Sequence, residues 1–210
     1  MFFPKTPILS ENKKLTEKKK IKKVQKKNVK VRTPPEKELV NLLKYYQAGN
    51  FSDAEKMALS ITKEYPEHQF GWKVLGAILK QTDRIYESLT YTKKTVTLTP
   101  DDAQAHYNLG NTLLDLSKFE EAELSYTQAI SLKPDFAEAY YNLGITLHRM
   151  GRPEEAEASY RQVISLKPNY AEAYYNFSIS LKELGRFEEA EAICRKAISL
   201  KPEYAEAQYN

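Results

Sequence analysis

Residues 103–136 read AQAHYNLGNTLLDLSKFEEAELSYTQAISLKPDF, and residues 137–170, AEAYYNLGITLHRMGRPEEAEASYRQVISLKPNY, run through the same 34 slots again. Self-similarity at a fixed period means that one small unit is stacked on copies of itself. The prolines carry the register outward in both directions. Pro66, Pro100, Pro134, Pro168 and Pro202 fall at intervals of 34 residues without a slip. With that proline as slot 32, the units are 35–68, 69–102, 103–136, 137–170 and 171–204, and a partial sixth begins at Ala205.

Other slots repeat as well. Slot 7 reads Leu75, Leu109, Leu143, Phe177; slot 8 reads Gly76, Gly110, Gly144, Ser178; slot 11 reads Leu79, Leu113, Leu147, Leu181. Slot 20 reads Ala54, Ser88, Ala122, Ala156, Ala190, and slot 4 reads Trp72, His106, Tyr140, Tyr174. Slots 4, 7, 8 and 11 return to one side of a helix, because spacings of three and four do so. Slots 17, 20, 24 and 27 mark a second such side, with Phe119, Ala122, Tyr126 and Ala129 in the third unit. Small residues at 8 and 20 let the two helices approach closely. Ser117 with Glu120, and Asp135 with Glu138, read as capping boxes that open helices, and Pro134 and its equivalents stop them. One helix pair cannot bury its apolar sides alone, but stacked pairs can. The expected fold is therefore all-α, a solenoid of antiparallel helix pairs.

The slots match the tetratricopeptide repeat, and residues 72–79, WKVLGAIL, resemble its opening signature well. The resemblance covers roughly residues 36–210 and implies a right-handed superhelix whose inner groove is lined mainly by first helices. It also marks departures. The first unit has Glu38 and Asn41 at slots 4 and 7, as suits a solvent-facing cap. The second has Thr92 and Thr95 at slots 24 and 27, so its second helix should pack less tightly. Pro153 takes slot 17 of the fourth, in a first turn where proline is tolerated. No polar closing helix follows the residues from Ala205, so the chain is expected to be a piece of something longer.

Composition sets outer limits. Hydrophobic residues make up 41% and charged residues 29%, with only seven glycines, which suits helices with a large solvated side. The single cysteine, Cys194, allows no internal disulfide and no paired-cysteine zinc site. No stretch is apolar for the ~18 residues a membrane span needs. Residues 1–10 show no secretory core, and a cytoplasmic location is expected. Twelve of the 32 Lys and Arg, but two of the 28 Asp and Glu, fall in residues 1–35, so a balance of +10 precedes a body of −6. Residues 1–34 form a basic arm, and their core, ENKKLTEKKKIKKVQKKNVKVR (11–32), is expected to be disordered. Three readings of the arm stand open: a solvated tail, weak electrostatic contact with nucleic acid or an anionic membrane, and docking on the chain's own acidic repeats.

The groove is where a partner would lie. Slot 5 reads Tyr107, Tyr141, Tyr175 and slot 6 reads Asn108, Asn142, Asn176, with Asn111 at slot 9 and His148 at slot 12. A row of amides offers donors and acceptors that match a peptide backbone whatever its side chains, and tyrosine adds rigid amphipathic area. These eight residues are the candidate binding site for a protein or peptide ligand, and no specific small molecule is expected. The Tyr-Asn-Leu-Gly runs at 107–110 and 141–144 are similar to the superhelix of O-linked N-acetylglucosamine transferases, where an asparagine ladder holds peptides. The opening over 35–79 is similar to large bacterial repeat proteins that end in glycosyltransferase or sulfotransferase domains. Two functions therefore stand: a scaffold or adaptor, and the substrate-recognition arm of a larger transferase. The carboxylate clamp known in the family needs lysine at slot 5 and asparagine at slot 9. Lys73 fills the first but Ala77 the second, so a terminal-carboxylate site is not expected.

Nothing in the chain reads as catalytic. His106 takes a packing slot, His68 a turn, and no two histidines have metal-ligand spacing. Cys194 takes slot 24 as a small packing residue. The paired glutamates (Glu120-Glu121, Glu154-Glu155, Glu188-Glu189) open second helices, where the dipole favours acids. No phosphate loop or dinucleotide fingerprint is present, and neither a metal nor another cofactor is expected.

Overall fold

A computed structural model describes residues 32–202 of the chain. Most of the basic arm and the partial sixth unit from Ala205 lie outside the described residues, and so do the expectations attached to them. Among the described residues are ten helices and no strand. They are α1 (Glu36–Gln47), α2 (Phe51–Glu64), α3 (Gln69–Gln81), α4 (Ile85–Leu98), α5 (Ala103–Asp115), α6 (Phe119–Leu132), α7 (Ala137–Arg149), α8 (Pro153–Leu166), α9 (Ala171–Glu183) and α10 (Phe187–Leu200). Odd helices are the first of each unit, even helices the second. Every helix packs on the one before and after it, and α5, α7 and α9 also touch in succession. The described part is an all-α repeat solenoid.

The buried residues are those the periodicity selects. Leu109, Gly110 and Leu113 are buried on α5, and Ala122, Tyr126 and Ala129 on α6. Each even helix ends two residues before its proline, at Glu64, Leu98, Leu132, Leu166 and Leu200. Pro153 is the first residue of α8, where its missing N–H costs nothing.

The helix starts correct the sequence reading. Neither α6 nor α7 has a side-chain cap; their N-cap positions are Lys118 and Phe136. Ser117 instead sits at φ 56°, in the left-handed slot that closes the preceding helix. Gly49, Gly151 and Gly185 hold that slot at φ 71–72°. A residue used to end one helix cannot also cap the next. Side-chain caps do occur at Asn50, His68 and Asp102.

The repeats are tied by bonds that the slot pattern does not announce. Arg84, Arg152 and Arg186 each fork between a glutamate of their own helix and one of the preceding unit. Arg152 reaches Glu123 at 2.7 Å and Glu155 at 2.6 Å, and Arg186 reaches Glu157 and Glu189, each at 2.6 Å. His106 also departs from its expected role as core filler. Its Nε2 lies 2.9 Å from the Pro100 carbonyl oxygen, where Trp72 Nε1 donates to Pro66 (3.0 Å) and the Tyr174 hydroxyl to Pro168 (3.1 Å). In the second, third and fifth units slot 4 thus bonds to the turn that closes the preceding unit.

The looser second unit is visible. The buried residues of α4 are Ser88, Thr92 and Thr95, and a cavity of about 120 Å³ opens beside the two threonines.

Candidate functional site

The eight candidate residues all fall on the odd helices and are all half-buried: Tyr107, Asn108 and Asn111 on α5, Tyr141, Asn142 and His148 on α7, Tyr175 and Asn176 on α9. Neighbouring odd helices bring Tyr107, Asn111, Tyr141, Asn142 and Asn176 together across unit boundaries, while Asn108 accepts from Gln104 of its own helix. Asn142 donates from Nδ2 to Asn111 Oδ1 at 2.7 Å and to the Tyr107 hydroxyl at 3.3 Å. Asn176 donates to the Tyr141 hydroxyl at 2.9 Å. Tyr126, from α6 behind, donates its hydroxyl to Asn111 Oδ1 at 2.8 Å. Each amide group has two N–H donors and one oxygen acceptor. Both donors of Asn142 are spent on the preceding unit, and no protein donor meets Oδ1 of Asn142 or Asn176 among the described residues. Asn142 and Asn176 therefore present oxygen acceptors, whereas Asn108 and Asn111, whose oxygens already accept from Gln104 and from Tyr126 and Asn142, present N–H donors.

Tyr107 and Tyr141 pack against aromatic rings of their own units. The Tyr107 ring lies 4.8 Å from Phe136 and 6.1 Å from Tyr126; Tyr141 lies 4.9 Å from Tyr170 and 6.3 Å from Tyr160. Such aromatic pairs hold their geometry tightly. The backbone below is held as well: Thr112, Thr146 and Ser180, all buried, donate to the carbonyl oxygens of Asn108, Asn142 and Asn176. The asparagines stand on a stiff floor.

Charge along this face is paired off locally. Lys80 meets Asp115 at 2.8 Å, Lys73 meets Asp102 at 3.6 Å, Lys201 meets Glu172 at 3.2 Å, and Lys167 pairs with Glu138. His148 Nδ1 lies 3.5 Å from Glu183 and 3.4 Å from the Ser180 hydroxyl. A surface neutralised this way selects weakly for net charge and leaves hydrogen bonding and shape to discriminate.

Burial pushes the hydroxyl pKa of Tyr126 and Tyr160 up, and that of Tyr170 up to about 12, so all three are neutral phenols at physiological pH. Among the described residues no three His, Cys, Asp or Glu side chains stand together as a metal site would require, and no helix is long and apolar enough to cross a membrane. Cys194 is half-buried and unpaired.

Sequence-family models described as tetratricopeptide repeat match residues 91–123, 137–170 and 171–204, and one described as TPR repeat matches 110–151, more than half the chain together. Solved structures are similar throughout the repeats. A crystal structure of MamA is 26% identical, with a TM-score of 0.73, over 78% of this chain and 95% of that one. YrrB, titled a TPR protein with an unusual peptide-binding site, is 19% identical with a TM-score of 0.74, over 82% of this chain and 89% of its own. A double mutant of MamA from RS-1 is 16% identical with a TM-score of 0.76, over 83% and 99%. No curated protein sequence matches the chain.

Proposed function

Because the chain belongs to the tetratricopeptide-repeat family, we propose that it is a scaffold or adaptor that binds an extended peptide, or an extended segment of a partner protein, along α5, α7 and α9. The observation that carries this reading is the pair of acceptors, Oδ1 of Asn142 and of Asn176, which meet no protein donor among the described residues and are each oriented by their own amide's bond to the preceding unit. Peptide N–H groups are the complementary donors. Because the amides are already oriented, little entropy is lost in ordering them when the ligand arrives. The half-buried tyrosines beside them supply apolar contact. A peptide-binding site in YrrB, a solved structure of the same fold, supports the reading. The second reading, a substrate-recognition arm of a larger transferase, would use the same acceptors and rests on the Tyr-Asn-Leu-Gly runs.

The test is selection of short random peptides on the purified protein, followed by fluorescence polarisation. N142A/N176A should weaken a selected peptide by more than about tenfold. Y107F/Y141F removes the hydroxyls to which Asn142 and Asn176 donate but keeps the Asn142–Asn111 bond and both asparagine oxygens, and should weaken the peptide clearly less than N142A/N176A does. Equal loss in both pairs would mean that the asparagines act only by holding the repeats.

A further inference from the structure

The repeat leaves one of its own parts out. In the third unit the slot-24 side chain is Tyr126, whose ring lies against Gly110 at slot 8. Its hydroxyl reaches Asn111 at slot 9, which also receives Asn142 from slot 6 of the following unit. The fourth unit seats Tyr160 against Gly144 in the same way. The second unit keeps the glycine, Gly76, and the following asparagine, Asn108, but slot 24 is Thr92 and slot 9 is Ala77. The cavity of about 120 Å³ is lined by these four residues, so it opens where the missing phenol would stand. The cavity is smaller than the roughly 150 Å³ that encloses a whole benzene ring, so it takes a phenol in part, with the rest of the side chain at its mouth.

We propose that this cavity is a specificity pocket for a tyrosine side chain of the bound peptide, which takes the place that Tyr126 and Tyr160 hold in the units that follow. The proposal rests on the groove reading above and adds a side-chain preference to it. The lining suits a phenol. Gly76, Ala77 and the Thr92 methyl offer apolar contact to the ring. Asn108 Oδ1 already accepts from Gln104 (2.9 Å), and Asn111 Oδ1 from Tyr126 and Asn142, which leaves the amide N–H groups of both for an incoming hydroxyl oxygen. Lys73 and Lys80 at the rim are paired with Asp102 and Asp115, so the pocket carries no net positive charge to call for an acidic side chain.

The test uses the whole chain and two versions of one peptide chosen by selection, identical except for Tyr or Ser at one position. The wild type should bind the Tyr version about tenfold more tightly, the return of burying one aromatic side chain. Thr92→Tyr fills the pocket as the third unit fills its own, and should bring the ratio to near one. Ala77→Ile, which installs the slot-9 residue of the fourth and fifth units, closes the pocket from the other side and should do the same should Thr92→Tyr misfold. A wild-type ratio near one, or a tenfold ratio that survives both substitutions, would overturn the pocket while leaving backbone gripping intact. Failure of the wild type to bind either version would overturn the groove reading and the pocket with it.

Discussion

The Tyr126 ring lies so close over Gly110 that a Cβ added there would stand 2.6 Å from Cε1, and Tyr160 and Gly144 repeat the contact at the same distance. The large and small partners are matched within each unit. Where slot 8 carries Ser178, slot 24 carries Cys194, and where slot 24 is Thr92, the closest approach to a Cβ on Gly76 relaxes to 3.0 Å. Helix spacing in each pair is set by this exchange.

Gly110→Ala should therefore destabilise the protein although alanine is the better helix former by ~1 kcal/mol. Tyr126 is fully buried and has nowhere to retreat. The overpacking should outweigh the propensity gain and leave a net loss of about 1 kcal/mol, read by urea unfolding. Gly76→Ala, facing a methyl group that can shift, should come out near neutral.

Ser117 sits at φ 56° in a slot that three units fill with glycine. Left-handed backbone costs a non-glycine residue roughly 1–2 kcal/mol. Ser117→Gly removes that strain at the expense of a more flexible unfolded chain, so a gain of about 1 kcal/mol in urea unfolding is expected. Ser117→Val at the same position should lose stability, since a branched Cβ tolerates the slot least.

The main architecture was legible because it depends on spacing. Slots 4, 7, 8, 11, 20 and 32 recur, and the helices and their ends follow them. The helix starts were misread because Ser117 looks like a cap in one dimension while its backbone closes the previous helix in three. The forks of Arg152 and Arg186 were missed because each joins residues 29 apart in different units. Only the recurrence of arginine at slot 16 after glutamate at slot 21 could have signalled them. In the candidate site, sequence showed a column of asparagines but not the direction of their amides. That direction depends on the Tyr107 and Tyr141 hydroxyls standing one unit away.

Stability should fall in mild alkali. The hydroxyls of Tyr126, Tyr160 and Tyr170 hold their protons above the ordinary value of 10.0, mainly because burial penalises the phenolate. Below pH ~10 both folded and unfolded states keep these protons, and the contribution is constant. Above it the unfolded chain releases them and the folded one does not, so unfolding is favoured progressively as pH rises. Thermal unfolding from pH 8 to 11 should show the midpoint dropping above about pH 10, and Tyr160→Phe should soften the drop. A flat midpoint would contradict the burial of these phenols.

Asn142 should matter for the fold as well as for the ligand. Asn142→Ala removes both bonds to the preceding unit and leaves Asn111 with one partner fewer, a loss of about 1–2 kcal/mol expected in urea unfolding. Asn108 donates to no neighbouring unit, so Asn108→Ala should cost well under 1 kcal/mol.

Whether side-chain oxygens of the groove hold the backbone of an extended peptide is read most directly by N-methyl scanning of a selected peptide. Methylating a backbone nitrogen removes the one donor that Asn142 or Asn176 would accept from, with the side chain untouched. Affinity losses of about tenfold are expected at two peptide positions, with smaller losses from alanine substitution there and insensitivity to methylation once Asn142 and Asn176 are both alanine. A peptide that tolerates N-methylation at every position, with alanine scanning carrying all the loss, would contradict this grip on the backbone.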